Sequence, residues 1–293
     1  MIGRTILNYG LTLLLLTGAA HAQELYTPRN IQQAIAKGTR TTTGIPGKNY
    51  WQNFGKYDVR VQLDPATKMV SGTETILYTN HSPDTLNRLA IRFVNNVHKP
   101  NAVRAAYASD DYLTSGLKIK SFKLNGQVYD VNSKDWGTVK LGDFGQKILP
   151  RSTATLDISW EYPLSVESDR EGLLNASTFY CAYAYPRVSV YDDYNGWDLL
   201  EHNGRQEFYN GFNDYQFEIS VPKNFVVWAT GELTNAADVL QKPILDRFEK
   251  SKVSDTPIHI ATDAEMKSGK VTAQEAWNTW NFKASYVPDF CFS

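Results

Sequence analysis

Five histidines, His21, His81, His98, His202 and His259, are the obvious metal ligands in this chain of 293 residues. Zinc peptidase chemistry on a helix needs His-Glu-x-x-His, because two imidazoles one turn apart face a single metal while the glutamate serves as general base. No two of these histidines stand four residues apart, and His202 follows Glu201 directly, so even the order is wrong. They are expected to be loop or surface histidines. Nucleophilic chemistry is no better founded: there is no Gly-x-Ser-x-Gly elbow, and Cys181 has no histidine near it in sequence. Glycine-rich phosphate loops are missing as well. The chain itself is therefore expected to hold no metal and no cofactor, and to carry no catalytic residue.

One stretch still concentrates reactive groups: Tyr-Pro-Arg-Val-Ser-Val-Tyr-Asp-Asp-Tyr-Asn-Gly-Trp, from Tyr185 to Trp197. As a calcium loop of the EF-hand type it fails. With Gly196 at position six, Asn195 and Asp193 fall on ligand positions, but Tyr191 stands at position one and His202 at position twelve. A less regular calcium site through Asp192, Asp193 and Asn195 remains an alternative. As plain structure the stretch is a strand with Val188 and Val190 on one side and Arg187, Ser189 and Tyr191 on the other, followed by a turn over Asp192 to Gly196. A strand whose second face carries Arg and Tyr is expected to meet water or a polar cover.

The elements around it are mostly strands. Tyr57, Val59, Val61 and Leu63 alternate with polar residues, and Asp64-Pro65-Ala66-Thr67 turns the chain into a second strand over Ser71 to Tyr78. Leu89, Ile91 and Phe93 alternate again, as do Leu156, Ile158, Trp160 and Tyr162, and then Tyr215, Phe217, Ile219 and Val221. Asn125-Gly126 marks a two-residue hairpin, since both turn positions need positive φ. Short strand-like pieces recur at Ile258-His259-Ile260 and Trp280-Asn281-Phe282, and residues 264–270 look like an exposed turn. One region reads as helical, near 236–250, with Pro243 at the tolerated first position of a helix reaching Lys250. The fold expected is all-β: an antiparallel β-sandwich or saddle-shaped sheet with that one short helical segment.

The first residues carry one cation, Arg4, then an apolar run ending in Leu13 to Leu16 and the small-residue site Ala20-His21-Ala22. That order is a secretory signal, residues 1–22, cut after Ala22. The run is too short for a bilayer, which needs about 20 apolar residues, so no transmembrane segment is expected and the protein is expected to be exported, periplasmic or extracellular. Without Arg4 the chain has 29 basic against 31 acidic residues, close to neutral, and nothing suggests a nucleic-acid groove. In an oxidising compartment Cys181 and Cys291 could pair, although two cysteines do not make a disulfide framework.

Several separated motifs resemble one family in its own order. They are Tyr50-Trp51-Gln52-Asn53; the run from Leu63 to Thr67 with Ser71-Gly72-Thr73-Glu74-Thr75-Ile76; and Tyr78 to Leu86. Later come the stretch from Tyr185, Gln206-Glu207-Phe208-Tyr209, Val221 to Leu233, and Trp280 to Ala284 with Val287-Pro288-Asp289-Phe290. From about residue 49 to the end the chain resembles the amino-terminal β domain of M1-family zinc metallopeptidases, the aminopeptidase N-like enzymes. The resemblance implies an extension over 23–48, the β domain over 49–285, and the start of a catalytic domain over 286–293, with the zinc helix lying in a domain this chain does not include. Zinc and peptide substrate then belong to full-length relatives, and the partner of this chain is the missing or separate catalytic domain.

What the resemblance places here is a substrate-pocket rim of Tyr183, Arg187, Tyr191, Asp192 and Asp193. Relatives supply glutamine or a similar polar residue two positions before the aromatic-proline pair; here that position is Tyr183, a departure. With their cover absent, Arg187, Tyr191, Asp192 and Asp193 are expected to face solvent or an exposed groove. Tyr183, Tyr185, Tyr191 and Trp197 are expected to form an open face that promotes self-association. The alternative function is a stand-alone glycan- or peptide-binding module, in which Tyr183, Tyr191, Tyr194 and Trp197 would stack on sugar rings.

Overall fold

The computed structural model describes residues 26–131, 137–166 and 170–293, so the signal-like segment 1–22 lies outside the described residues. They fall into two compact units, one ending at Tyr50 and one running from Trp51 to Ser293. The first carries a helix, α1 (Arg29–Ala36), that the sequence reading did not include. Thr39 closes its end by donating from Oγ1 to the Ala34 carbonyl at 3.0 Å.

The second unit is built on β1 (Phe54–Asp64), β2 (Met69–Thr79), β3 (Leu89–Arg92), β4 (Lys118–Leu124), β5 (Gln127–Val128), β6 (Val139–Gly142) and β7 (Thr153–Pro163). There follow β8 (Glu171–Asn175), β9 (Thr178–Cys181), β10 (Arg187–Val188), β11 (Tyr191–Asp192), β12 (Gly196–Trp197), β13 (Asn213–Pro222), β14 (Glu232–Leu233) and β15 (Trp277–Val287). Eight of these make the main sheet, in the order β14-β15-β13-β1-β2-β7-β4-β5, and β10-β3-β6 form a second, smaller sheet. The architecture is mostly β, as the alternating pattern predicts. It is not purely antiparallel, because β1 and β13 run parallel from Lys56↔Asp214 to Gln62↔Ser220. A parallel pair needs a long crossover, and about 150 residues of chain separate these two strands; no local signal records such a pairing.

Where local chemistry decides, the prediction and the structure coincide. Asp64 accepts from the Ala66 amide at 2.9 Å and from Thr67 Oγ1 at 2.8 Å, fixing the β1–β2 turn. Asn125 and Gly126 take φ of 50° and 80° and join β4 to β5. On the main sheet one face is apolar, with Trp160, Tyr162, Phe217 and Trp280 fully buried, and Trp160 Nε1 donates to the Ala184 carbonyl at 2.9 Å. The other face is polar: Thr75 donates to Asp157, Arg60 pairs with Glu218, and Lys120 with Glu161. One core position breaks the alternation. Glu74 stands on the buried face of β2 between Gly72, whose space is filled by Trp160, and Ile76.

Helices α2 (Ala236–Val239) and α3 (Lys242–Ser251) occupy the predicted helical region, with Pro243 in the first turn of α3. Two expectations fail. Residues 264–270 are not simply a turn, because α4 (Asp263–Lys267) forms on a capping box in which Thr262 Oγ1 accepts from the Glu265 amide and Glu265 accepts from the Thr262 amide. Ile258-His259-Ile260 joins no strand; its alternation serves burial of Ile260 against the core instead.

Gly231 is a position where backbone geometry forbids a side chain. Its φ is +92°, and a Cβ there would lie 2.2 Å from the backbone oxygen of Lys283. Gly231→Ala is expected to destabilise the protein by about 2 kcal/mol through left-handed strain and a shift of β15, read as an earlier urea midpoint with unchanged slope. An unchanged midpoint would refute this account of the turn.

Candidate functional site

Of the four residues expected to face solvent or an exposed groove, Arg187 does not. Arg187 is buried, only 4% exposed, and pairs with Asp289. Strand β10 runs antiparallel to β3 with Arg187 opposite Arg92, and its inward side carries Arg187 and Ser189 while Val188 and Val190 are half-buried. This polar side turns inward because both of its members find partners. Ser189 Oγ donates to the Asp198 carbonyl at 2.6 Å. Around Arg187, Asp289 also accepts from Tyr185 OH at 2.8 Å, from the Phe290 amide at 2.8 Å and from Asn210 at 3.3 Å. The guanidinium lies 4.6 Å from the centre of the Phe208 ring. Opposite, Arg92 pairs with Asp198 and donates to the Leu200 carbonyl. The polar cover that the sequence pattern calls for is thus supplied within the chain, by Asp289 for Arg187 and by the Asp198 carbonyl for Ser189.

Tyr183 is also buried rather than exposed, at 8%. Its ring packs edge-on against His202 and Phe208, with centroids 5.3 and 5.5 Å away, and burial pushes its phenol up to about 12. It borders a polar cavity of about 240 Å³ shared with Arg104, Tyr112, His202 and Asn203. Tyr191, Asp192 and Asp193 are half-buried. Tyr191 stacks on Trp51 at 5.7 Å, meets Trp197 edge-on at 5.1 Å and donates its hydroxyl to Asp84 at 2.9 Å. Asp192 shapes the hairpin by accepting from the Tyr194 and Asn195 amides at 3.2 and 2.7 Å, and takes the Tyr209 hydroxyl on its other oxygen.

Four of the five expected rim residues fall into two groups, and Asp193 is half-buried beside the second in sequence. Tyr183 and Arg187 gather around Phe208; Tyr191 and Asp192 gather around Trp51, Asp84 and Tyr209. The open aromatic face proposed for association does not exist in that form, since Tyr183 and Tyr185 belong to the interior. Three of the four rings expected to stack on sugar already pack on other rings: Tyr183 on Phe208, Tyr191 on Trp51, and Trp197 on Tyr78 at 6.3 Å. The carboxylate of Asp192, spent on the turn, is a poor start for a calcium site, and among the described residues no three His, Cys, Asp or Glu converge on a metal position.

Sequence analysis gave no role to the two buried carboxyls that stand out, Glu171 and Glu74, and expected His98 and His202 in loops or at the surface, whereas both are buried. Glu171 is buried, and burial raises its carboxyl to about 7 against opposing hydrogen bonds from the Tyr183 amide (3.0 Å) and Asn95 (3.2 Å). Glu74 is buried with neither oxygen hydrogen-bonded, and burial raises it well above the usual carboxylate range. Burial lowers both His98 and His202 to about 4, so both are neutral near pH 7. Cys181 is buried, its thiol pushed up by burial, and Cys291 is exposed; both are free thiols. Glu74 and Asp289 each stood in a quoted motif, Ser71 to Ile76 and Val287-Pro288-Asp289-Phe290; Glu171 had no such signal. What this arrangement can do chemically is hold the final segment against the sheet. Glu171 is 1% exposed and enclosed by its own donors.

Among solved structures, the chain is similar to M1 zinc metallopeptidases. The enzyme from Deinococcus radiodurans is 12% identical, with 85% of this chain and 44% of that chain covered at a TM-score of 0.42. Legionella pneumophila aminopeptidase A, solved with aspartic acid, is 10% identical over 81% of this chain and 20% of its own, at a TM-score of 0.40. The chain spans less than half the length of these neighbours, and the likeness supplies no residue-by-residue correspondence. No family model and no curated protein matches the chain.

Proposed function

We propose that the chain is the amino-terminal, non-catalytic β domain of an exported M1-type zinc aminopeptidase, acting as scaffold for a catalytic domain that removes residues from the amino end of peptides. The observation that carries this reading is the joining of two quoted motifs 102 residues apart in sequence: Tyr185-Pro186-Arg187 and Val287-Pro288-Asp289-Phe290 meet through Tyr185 and Arg187 on Asp289. In a two-domain peptidase that cluster would fix the segment leading into the next domain. Zinc in the catalytic domain would supply a bound water as nucleophile. The residues of this chain do not fit that metal: no two of its histidines stand four apart, and the buried His98 and His202 belong to different packing clusters, with Tyr112 and with Tyr183 and Phe208.

The test is metal analysis and aminoacyl-reporter hydrolysis on purified residues 23–293, together with the coding sequence beyond codon 293. The expected result is no stoichiometric zinc, no hydrolysis, and a downstream His-Glu-x-x-His in frame. About one tightly held zinc per chain, or a clean intergenic gap after codon 293, would overturn the reading.

A further inference from the structure

Between α3 and the β14–β15 end of the main sheet lies a cavity of about 280 Å³. Its walls are apolar, including Val227, Leu240, Ile244, Phe248, Trp280 and Phe282, and Glu232 is the one charged lining residue. Trp228 borders it while 59% exposed, which leaves the cavity a route to solvent. An apolar space of this kind holds water poorly, and its size falls just under the range of small-molecule pockets, about 300–1,000 Å³. Trp280 adds a second observation. Its side chain lines the cavity and is 1% exposed, and its Nε1–H is buried without an acceptor among the described residues. An unmade hydrogen bond at a buried donor is costly, and the other tryptophan of the core, Trp160, has its acceptor.

We propose that this cavity binds a small neutral molecule, an aryl alkyl ketone or amide in chemical class, whose apolar body fills the space and whose single oxygen accepts the Trp280 N–H. The lining excludes an anion, because it offers no cation and carries Glu232. It disfavours a polyol or a charged amino acid, because one donor cannot satisfy several buried polar groups. The site shares no lining residue with the Arg187–Asp289 cluster and does not depend on the peptidase reading.

The experiment compares two probes of nearly equal shape, propiophenone and propylbenzene, titrated into the purified protein while the indole N–H resonance of Trp280 is followed by NMR. Propiophenone is expected to bind with a dissociation constant of about 0.1 mM, in keeping with its handful of heavy atoms, and to shift that resonance downfield. Propylbenzene, lacking the oxygen, is expected to bind about tenfold more weakly. Trp280→Phe should bring the ketone down to the level of the hydrocarbon, and Ala261→Trp, which fills the cavity, should abolish binding of both. Equal binding of the two probes to the wild type would overturn the proposal. So would no saturable binding of the ketone, or ketone binding unchanged in an Ala261→Trp protein that unfolds at the wild-type temperature. If Trp280→Phe does not fold, the matched pair on the wild type decides alone.

Discussion

Asp289→Ala is expected to destabilise the protein by about 3 kcal/mol, roughly 5 °C in melting temperature for a chain of this size. The reason is what it leaves behind. Arg187 is only 4% exposed, and among the described residues its Nε has no partner and Asp289 is its one ion-pair partner. Removing one member of a buried pair strands the other charge in a medium that solvates it poorly, which costs about 3–5 kcal/mol. The lower end applies because the Asp289 side chain keeps 28% of its exposure and water softens the loss. The same substitution takes an acceptor from Tyr185, Asn210 and the Phe290 amide. A double variant, Arg187→Met/Asp289→Leu, removes both charges and is expected to recover most of the stability, since hydrophobic replacement of a whole buried pair is often neutral. Calorimetry of the three proteins checks this. A single variant that melts within a degree or two of the wild type would show that Arg187 does not depend on Asp289.

The second large effect is on pH dependence. Glu74 and Glu171 both have folded-state pKa values raised by burial, Glu171 to about 7. A carboxyl whose pKa is higher folded than unfolded binds its proton more tightly in the folded state. Its contribution is therefore favourable at low pH and is lost as pH rises from the unfolded value toward the folded one, at about 1.4 kcal/mol per pH unit. For Glu171 the window runs from 4.5 to about 7 and amounts to about 3 kcal/mol. The wild-type profile alone does not isolate this loss, because His98 and His202 oppose it. Each is held at about 4 against an ordinary 6.5, so each favours the fold increasingly as pH rises to 6.5.

The variants separate the groups. Relative to wild type, Glu171→Gln is expected to gain about 3 kcal/mol between pH 4.5 and pH 7 and nothing further above it. Glu74→Leu is expected to gain as pH rises above the ordinary carboxylate value, because burial raises Glu74 well above it, and to be the more stable protein at pH 7, because Glu74 sits among core residues with neither oxygen bonded among the described residues. Urea unfolding at pH 4.5, 6, 7 and 8 measures both. A stability difference from wild type that does not change with pH would rule out the buried acids as its source.

The sequence by itself determined the β character of this protein, the position of its principal strands and its tight turns. Those follow from interactions within a few residues: the period-two alternation of β1, β7 and β13, the Asp64 turn, the Asn125-Gly126 hairpin and the proline-led helix α3. Thr262 and Glu265 show that one more local signal, the capping box of α4, was there to be read. The tertiary structure alone decided which polar residues are inside. In isolation the arginine and tyrosines of the Tyr185–Trp197 stretch read as exposed, because a charge is costly to bury and no partner lies nearby in sequence. The partners come from far along the chain, Asp289 to Arg187, Asp198 to Arg92, and Asn95 to Glu171, and only the folded sheet brings them within hydrogen-bond reach. Glu74 is the converse case, a residue that obeys the strand's alternation in position and defies it in chemistry: the register of β2 between β1 and β7 fixes which face it takes. Period gives a side chain its face, but whether that face meets water, apolar packing or a counter-charge depends on segments that carry no mark of one another until the chain has folded.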